Sequence, residues 1–154
     1  VMGRGEGPGC YCAANNLFKS FIDKLQGNYG WVVMDNEAGM EHLSRRTTKK
    51  IDLLLVVCDH SVKAARAAGR IVELAEELQL RIGDKRLILN RAPDTIRPEV
   101  QEEIDRSGLE VLARLPEDDQ VTVADARGEA LVALPDDAPS VRILTEALEP
   151  LLTG

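Results

Sequence analysis

The sequence predicts an α/β fold built on a mostly parallel sheet with helices on both faces. Four short apolar runs lack the polar alternation of a half-exposed strand, and stretches with helical periodicity separate them. The chain has 154 residues, of which 44% are hydrophobic and 29% charged, which is typical of one soluble globular domain. We therefore expect residues 1–154 to form a single domain around one sheet.

In the first half of the chain the pattern predicts two helices and two strands: a helix at 16–26, strands at 31–35 and 53–58, and a helix from 61 to about 80. The first helix has apolar side chains at helical spacing, and Gly27 follows its end. Both strands are continuous apolar runs that stop at an acid, Asp35 and Asp59. Ser61 is a suitable N-cap for the second helix.

In the second half the pattern predicts two strands and three helices: strands at 86–90 and 110–115, and helices at 97–107, 121–132 and 140–152. Gly108 is expected to end the first of these helices in the left-handed conformation, and Pro116 ends the last strand. Parallel sheets bind ligands at the carboxyl ends of their strands. The residues to inspect are therefore those that follow each strand: 35–42, 59–61, 90–92 and 116–119.

The charge and cysteine content exclude several classes of protein. A net charge of −7 provides neither the basic face of a nucleic-acid-binding domain nor the polybasic segment of a membrane anchor. No apolar run approaches the roughly 20 residues that span a bilayer, and no secretory signal is recognised. Three cysteines in such a sequence indicate a reducing compartment, so we expect a cytoplasmic protein that binds neither nucleic acid nor membrane.

The first residues resemble the end of a strand that enters a glycine-rich loop, so we expect the sequence to be the later part of a longer protein. The loop at 3–9 does not fit the phosphate-binding pattern G-x-x-x-x-G-K-[ST], because no glycine directly precedes a Lys-Ser or Lys-Thr pair. Lys19 and Ser20 follow Phe18 within the first predicted helix, and Glu6 would repel a phosphate. A flexible loop is the better interpretation.

Cys10 and Cys12 are the first candidate ligands. Residues two apart in extended backbone project to the same side, so both sulfurs can face one point. Two thiolates are half of a tetrahedral four-sulfur site for Zn²⁺ or Ni²⁺, and a second chain related by a two-fold axis would supply the other half. The alternatives are a pair of small loop residues or a vicinal redox pair. Cys58 ends a buried strand and is expected in the core.

Asp35 ends the predicted strand at 31–35, and such an acid is where nucleotide-binding α/β proteins hold Mg²⁺, often through water. Gly39 would permit a loop that changes shape when a terminal phosphate is present. From these residues alone, a turn in which Asp35 caps the next segment explains the pattern equally well. His42 and the basic residues at 45–50 are assigned to the solvated surface.

Two further signals, Asn90 and the turn Pro116-Glu117, end strands on the same predicted edge. An Asn amide offers both a donor and an acceptor, which suits the edge of a nucleotide base, and a proline-fixed turn can shape a base pocket. Each signal is weak by itself, because Asn and Pro are also common turn residues.

Taken in order, these segments resemble the class of P-loop ATPases that contains MinD, ParA and the nitrogenase iron protein, and within it the CooC-type nickel-insertion ATPases. The resemblance covers nearly the whole chain and rests on four segments: Gly-Cys-Tyr-Cys at 9–12, Val-Val-Met-Asp-Asn-Glu-Ala-Gly-Met-Glu-His-Leu-Ser-Arg-Arg at 32–46, Leu-Ile-Leu-Asn-Arg at 87–91 and Leu-Pro-Glu-Asp at 115–118. The first two segments are specific, whereas the last two are shared across the wider class.

The resemblance implies an ATP-driven homodimer that helps to mature carbon monoxide dehydrogenase by delivering nickel. It implies that Cys10 and Cys12, with their symmetry mates, hold Ni²⁺ or Zn²⁺ at the dimer interface. It further implies that Asp35 holds the Mg²⁺-bound water and that Asp35 to Gly39 form a switch region. The base of ATP or ADP would lie against four residues: Asn90, Arg91, Pro116 and Glu117.

The sequence departs from the class in one large respect. The class has a P-loop with a signature lysine, followed by an aspartate that positions the attacking water, and the 154 residues contain neither. The chain by itself is therefore expected to bind ATP poorly and hydrolyse it negligibly, and a sheet without its first strand exposes an edge that favours self-association. Two other functions stay open: a MinD- or ParA-type positioning ATPase, and a catalytically inert metal-binding module.

Overall fold

A sheet of three parallel strands organises the computed structural model, which describes residues 28–36 and 50–152 of the chain. The strand order is β1-β2-β3, where β1 is Lys50–Asp59, β2 is Arg81–Asn90 and β3 is Glu110–Arg114. Both pairings are parallel, as the continuous apolar runs predicted. The register places Asp59 beside Asn90, so the two longer strands end at the same level.

The core forms around β2 because this strand has a neighbour on each side. Leu87 and Leu89 are fully buried at its centre. Helices α1 (Val62–Glu77) and α2 (Pro98–Ser107) pack against each other, and Val100 of α2 is also fully buried. The buried face of α1 is mostly alanine, with Val72 as its one larger residue. Small side chains let the helix approach its neighbours closely, which compensates for the scarcity of aromatic residues.

The caps confirm the predicted start of α1 and the predicted end of α2. The Ser61 hydroxyl accepts a hydrogen bond from the backbone N–H of Ala64 at 3.1 Å and so starts α1. The helix ends at Glu77, slightly before the predicted end near residue 80. Gly108 follows α2 with φ 68°, the left-handed conformation expected of a glycine stop.

The helix predicted at 121–132 is wrong in its second half. Helix α3 is Asp119–Arg127 and ends at Gly128, which has φ 65°. A short 3-10 turn, Leu131–Ala133, follows it. The apolar periodicity continues through Leu131 and Val132, but the glycine stops the helix first. The last predicted helix is confirmed, since α4 is Pro139–Leu152.

The buried strand predicted at 31–35 is wrong in this structure. Residues 31–36 form no regular element, and the side chains of Trp31 and Val33 are 64% and 91% exposed. A strand needs a hydrogen-bonded neighbour, and β1, β2 and β3 pair only among themselves in the described part of the chain. Within residues 28–36 and 50–152 the run therefore has no strand to pair with, and Val32 and Met34 are only partly buried.

The other early predictions lie outside the described residues. They are the helix at 16–26, the glycine-rich loop at 3–9, and the residues Cys10, Cys12 and Gly39. Within residues 28–36 and 50–152, no helix combines the length and the apolar character that crossing a bilayer requires.

Two glycine substitutions test how closely the elements approach. A Cβ at Gly83 would lie 2.7 Å from the carbonyl oxygen of Asp52 on β1, whereas a Cβ at Gly69 in α1 would meet Ser107 Cβ at an ordinary 3.4 Å. We expect Gly83→Ala to lower the free energy of unfolding by about 1–3 kcal/mol, because the backbone must move. Gly69→Ala should raise it by about 0.5–1 kcal/mol, since alanine is the better helix former. Urea denaturation measures both, and equal effects of the two changes would contradict the packing described.

Candidate functional site

The carboxyl ends of β2 and β3 form one edge, and backbone hydrogen bonds hold it together. The N–H of Leu115 donates to the carbonyl oxygen of Leu89 at 2.8 Å, and the N–H of Ala92 donates to the carbonyl oxygen of Leu115 at 2.8 Å. These bonds extend the β2–β3 pairing into the loops. The structure therefore brings Asn90 at the end of β2, with Arg91 in the turn after it, beside the turn that holds Pro116 and Glu117.

The turn after β2 is strained at Arg91, which has φ 52° although it is not a glycine. The left-handed region costs a residue with a Cβ about 1–2 kcal/mol. The Oδ1 of Asn90 accepts a hydrogen bond from the N–H of Arg91 at 3.0 Å and supports this conformation. Asn90 and Arg91 are both exposed, so a strained turn presents an amide and a guanidinium to solvent at the sheet edge.

Asp118 fixes the Pro116-Glu117 turn through hydrogen bonds to two helices. This role of Asp118 was not apparent from the sequence. Its carboxylate is buried, with 7% of the residue exposed. Oδ1 accepts from the N–H of Gln120 at 3.0 Å, and Oδ2 accepts from the N–H of Ser140 at 3.0 Å. One carboxylate thus caps the first turns of both α3 and α4 and ties the Pro116-Glu117 turn to them.

The same contacts perturb the protonation of Asp118. The backbone N–H of Ser140 makes the largest contribution, followed by the Ser140 side chain and the N–H of Gln120, and together they hold the pKa of Asp118 below its ordinary value. They outweigh burial, which acts in the opposite direction. Helix N-termini also favour a negative charge. The carboxylate is therefore ionised whenever the fold is intact near neutral pH.

The end of β1 adds two polar groups to the edge. Asp59 Oδ1 accepts a hydrogen bond from the N–H of Ser61 at 2.7 Å, and hydrogen bonds from Ser61 lower the pKa of this carboxyl group. Beside it, His60 Nδ1 is buried without a hydrogen-bond partner among residues 28–36 and 50–152. The sequence had indicated 59–61 by its position after a strand but assigned no ligand role to it.

Among the residues predicted to bind metal, the structure describes Asp35. Asp35 lies exposed in the segment at 28–36, outside the three-stranded sheet. Cys10, Cys12 and Gly39 fall outside the described residues. Among the residues that are described, no group of three or more His, Cys, Asp or Glu side chains is arranged to hold a metal ion.

Cys58 behaves as the core residue that the sequence predicted. It is partly buried on β1 and packs against the aliphatic core. Burial, with a smaller contribution from the negative charge of Asp59, raises the pKa of its thiol to about 11. Because the thiolate is the form that binds metal, the neutral Cys58 thiol is a poor ligand near pH 7.

Comparison with known proteins gives two informative relatives. The chain is 38% identical over 156 aligned positions to an uncharacterized ATP-binding protein of Methanocaldococcus jannaschii, covering 99% of this chain and 60% of the relative. It is 29% identical over 146 positions to the carbon monoxide dehydrogenase accessory protein CooC of Rhodospirillum rubrum, covering 92% of this chain and 52% of the relative. The chain therefore spans between half and two thirds of the length of these relatives. No family model matches it.

Solved structures show the same fold. The MinD cell division protein of Aquifex aeolicus superposes with a TM-score of 0.70 at 20% identity, covering 91% of this chain and 61% of that one. The septum site-determining protein MinD of Pyrococcus horikoshii, complexed with Mg-ADP, gives a TM-score of 0.67 at 19% identity, covering 89% and 56%. The α/β fold with a parallel sheet matches MinD/ParA-type structures. The sequence relatives support the MinD/ParA-type family of P-loop ATPases.

Asp118 provides a test of how the edge is held. Removal of both cap hydrogen bonds in Asp118→Ala should lower the free energy of unfolding by about 2 kcal/mol, and Asp118→Asn, which keeps one acceptor oxygen, by about 1 kcal/mol. Asp119→Ala on the exposed first turn of α3 is the control and should change it by less than about 0.5 kcal/mol.

The same variants have a pH dependence with a defined sign. The native pKa of Asp118 is lowered, so its stabilisation is present above the ordinary value of 3.8 and is lost as the pH falls through the native pKa. The stability difference between the parent chain and Asp118→Ala should therefore be constant near neutrality and shrink in acid. Urea titrations across this range measure it, and a difference that grew on acidification would contradict the assignment.

Proposed function

We propose that this chain supplies the adenine-binding part of a MinD/ParA-type ATPase. The observation that carries the proposal is the edge at which Asn90 and Arg91 lie beside Pro116 and Glu117, linked through Leu115. An ATP-binding relative that covers 99% of the chain and a neighbour complexed with Mg-ADP support the same assignment.

The chemistry of the edge fits a purine base. The Asn90 amide carries donors on Nδ2, and its Oδ1, already bonded to the N–H of Arg91, retains a second lone pair. Adenine presents a matching donor and acceptor on neighbouring atoms. The guanidinium of Arg91 can stack on a base, and the fixed ring of Pro116 gives the pocket a rigid wall. The base is thus held by a preformed turn rather than by a loop that must first be ordered.

We assign Asp35 and Gly39 to the other end of the nucleotide. A carboxylate such as Asp35 would hold Mg²⁺ through water, and Gly39 would allow the following loop to respond to the terminal phosphate. Phosphate binding and hydrolysis depend mostly on a P-loop, and these 154 residues contain no such motif. We therefore expect adenine binding without measurable hydrolysis from the chain by itself.

A titration followed by amide NMR shifts tests the base site. Adenosine and ADP should both shift the amide signals of residues 90–92, 115, 117 and 118, because the base makes most of the contact, and guanosine should not; Pro116 has no N–H and gives no signal. Asn90→Ala should weaken adenosine binding about fivefold, as expected for one hydrogen bond worth about 1 kcal/mol.

The control for this titration is Gln101→Ala, which removes an exposed amide on α2 that bonds Asp105. It should leave the adenosine affinity unchanged. Shifts confined to other parts of the chain, or equal effects of the two variants, would reject the base site.

For the activity of the intact ATPase, we propose nickel insertion into carbon monoxide dehydrogenase. Two features favour it: the Cys10-x-Cys12 pair and the similarity to CooC over 92% of the chain. Ni²⁺, or Zn²⁺ in its place, would be the cargo, held by four thiolates from a homodimer. Thiolates stay reduced in the cytoplasm, which is where we place the protein. Nucleotide-dependent changes in the dimer would alter the distance between the two cysteine pairs and hence the affinity for the metal.

Metal titration tests the thiolate site directly. We expect about one Ni²⁺ or Zn²⁺ per two chains, and Cys10→Ser with Cys12→Ser should abolish this binding while the circular dichroism spectrum is unchanged. Cys58→Ala is the matched control, since its thiol is neutral and lies on β1. One ion per chain would argue against a site shared across a dimer, and unchanged uptake in the double variant would reject the thiolate site.

The alternative for the intact protein is a MinD- or ParA-type positioning ATPase. The structural neighbours are about 20% identical to this chain, so they share its fold. At that identity they do not distinguish a positioning ATPase from other members of the fold. A positioning ATPase needs no cargo metal, so the metal titration separates it from the nickel-delivery proposal. A catalytically inert metal-binding module would instead bind metal and fail to bind adenosine.

A further inference from the structure

An apolar groove lies between α3 and the 3-10 turn that follows it. Its volume is about 350 Å³. Three polar residues (Asp119, Gln120 and Glu129) and five apolar residues line it, the latter being Val123, Ala124, Ala133, Leu134 and Pro135. It shares no lining residue with the four residues assigned to the base. The groove is therefore a feature of the surface that the proposed nucleotide site does not use.

Backbone hydrogen bonds hold the two walls of the groove in place. After Gly128 ends α3, the N–H of Glu129 donates to the carbonyl oxygen of Ala124 at 2.9 Å and turns the chain back along the helix. The N–H of Leu134 then donates to the carbonyl oxygen of Leu131 at 3.1 Å. A groove with fixed walls binds a ligand without first losing the entropy of loop ordering.

Exposed aliphatic side chains occur in both segments that form the groove. Val123, which lines it, is 45% exposed, and Leu131 and Val132 of the 3-10 turn are 51% and 93% exposed. Exposed apolar side chains beside a concave site are typical of protein interaction sites rather than of plain solvated surface.

The charge around the groove restricts what can cover it. Residues 116–138 contain seven acidic residues and one basic residue, so their charge of −6 accounts for most of the −7 of the whole chain. Asp119 and Glu129 line the groove and form its acidic rim, and Asp136 and Asp137 directly follow the lining residue Pro135 in the sequence. Nucleic acid, an anionic membrane and a second copy of this acidic chain are all repelled by such a surface. A positively charged partner is attracted to it.

We propose that this groove docks a basic amphipathic helix of a partner protein. Its apolar side chains would enter the groove between α3 and the 3-10 turn, and its lysines or arginines would face the acidic rim. This inference does not depend on nucleotide or metal binding, since it uses none of the residues assigned to either.

Three fluorescein-labelled helical peptides of equal length test the proposal with the whole 154-residue chain. The first has leucines on one face and lysines on the other, the second replaces lysine with glutamate, and the third replaces leucine with serine. Fluorescence anisotropy at physiological salt should show the leucine–lysine peptide binding at least tenfold more tightly than either of the others. Equal affinity of the serine–lysine peptide would overturn the proposal, because charge alone would then explain the binding.

Two chain variants locate the binding surface. Val123→Lys places a positive charge at the groove and should weaken binding of the leucine–lysine peptide at least tenfold. Val57→Lys is the matched control, because Val57 is also an exposed valine, at 59%, but lies on β1. Circular dichroism verifies that both variants fold. Unchanged affinity in Val123→Lys, or an equal loss in Val57→Lys, would overturn the proposal.

Discussion

The candidate site depends on the position of β2 between β1 and β3. A strand paired on both sides cannot shift without breaking two sets of backbone hydrogen bonds. Leu87 and Leu89, two residues apart and therefore on one face, fix that face by complete burial. Its carboxyl end is therefore a rigid reference point for the loops. The backbone hydrogen bonds that join Leu115 to Leu89 and to Ala92 extend that rigidity to the turns that follow β2 and β3.

A second constraint acts below the edge, where Asp118 joins two helices to one turn. The free N–H groups at the start of a helix need acceptors, and a single buried carboxylate supplies one to α3 and one to α4. Its charge is favoured by both helix dipoles, which offsets the loss of hydration on burial. The Pro116-Glu117 turn is consequently fixed by α4, an element that begins more than 20 residues later in the sequence.

The predictions from sequence succeeded where the signal was local. Ser61 caps α1 through a residue three positions away, and Gly108 ends α2 by its own left-handed conformation. Prediction failed where the outcome depends on a distant partner. The run at 31–35 forms a buried strand only beside a neighbouring strand. Asp118 caps α4 only because the fold brings the N–H of Ser140 to its carboxylate. Gly128 carried a local signal, but apolar residues on both sides of it imitated a longer helix.

The fold leaves the choice of activity to individual residues. A parallel sheet with a polar carboxyl edge accommodates many functions, so likeness at about 20% identity shows the fold and decides neither the base site nor the cargo. The adenine assignment rests on Asn90 and Pro116, whereas the nickel assignment rests on Cys10 and Cys12, and neither pair supports the other. Failure of one would leave the other intact. Only a coupling between nucleotide and metal binding, each changing the affinity for the other by the same factor, would unite them in one mechanism.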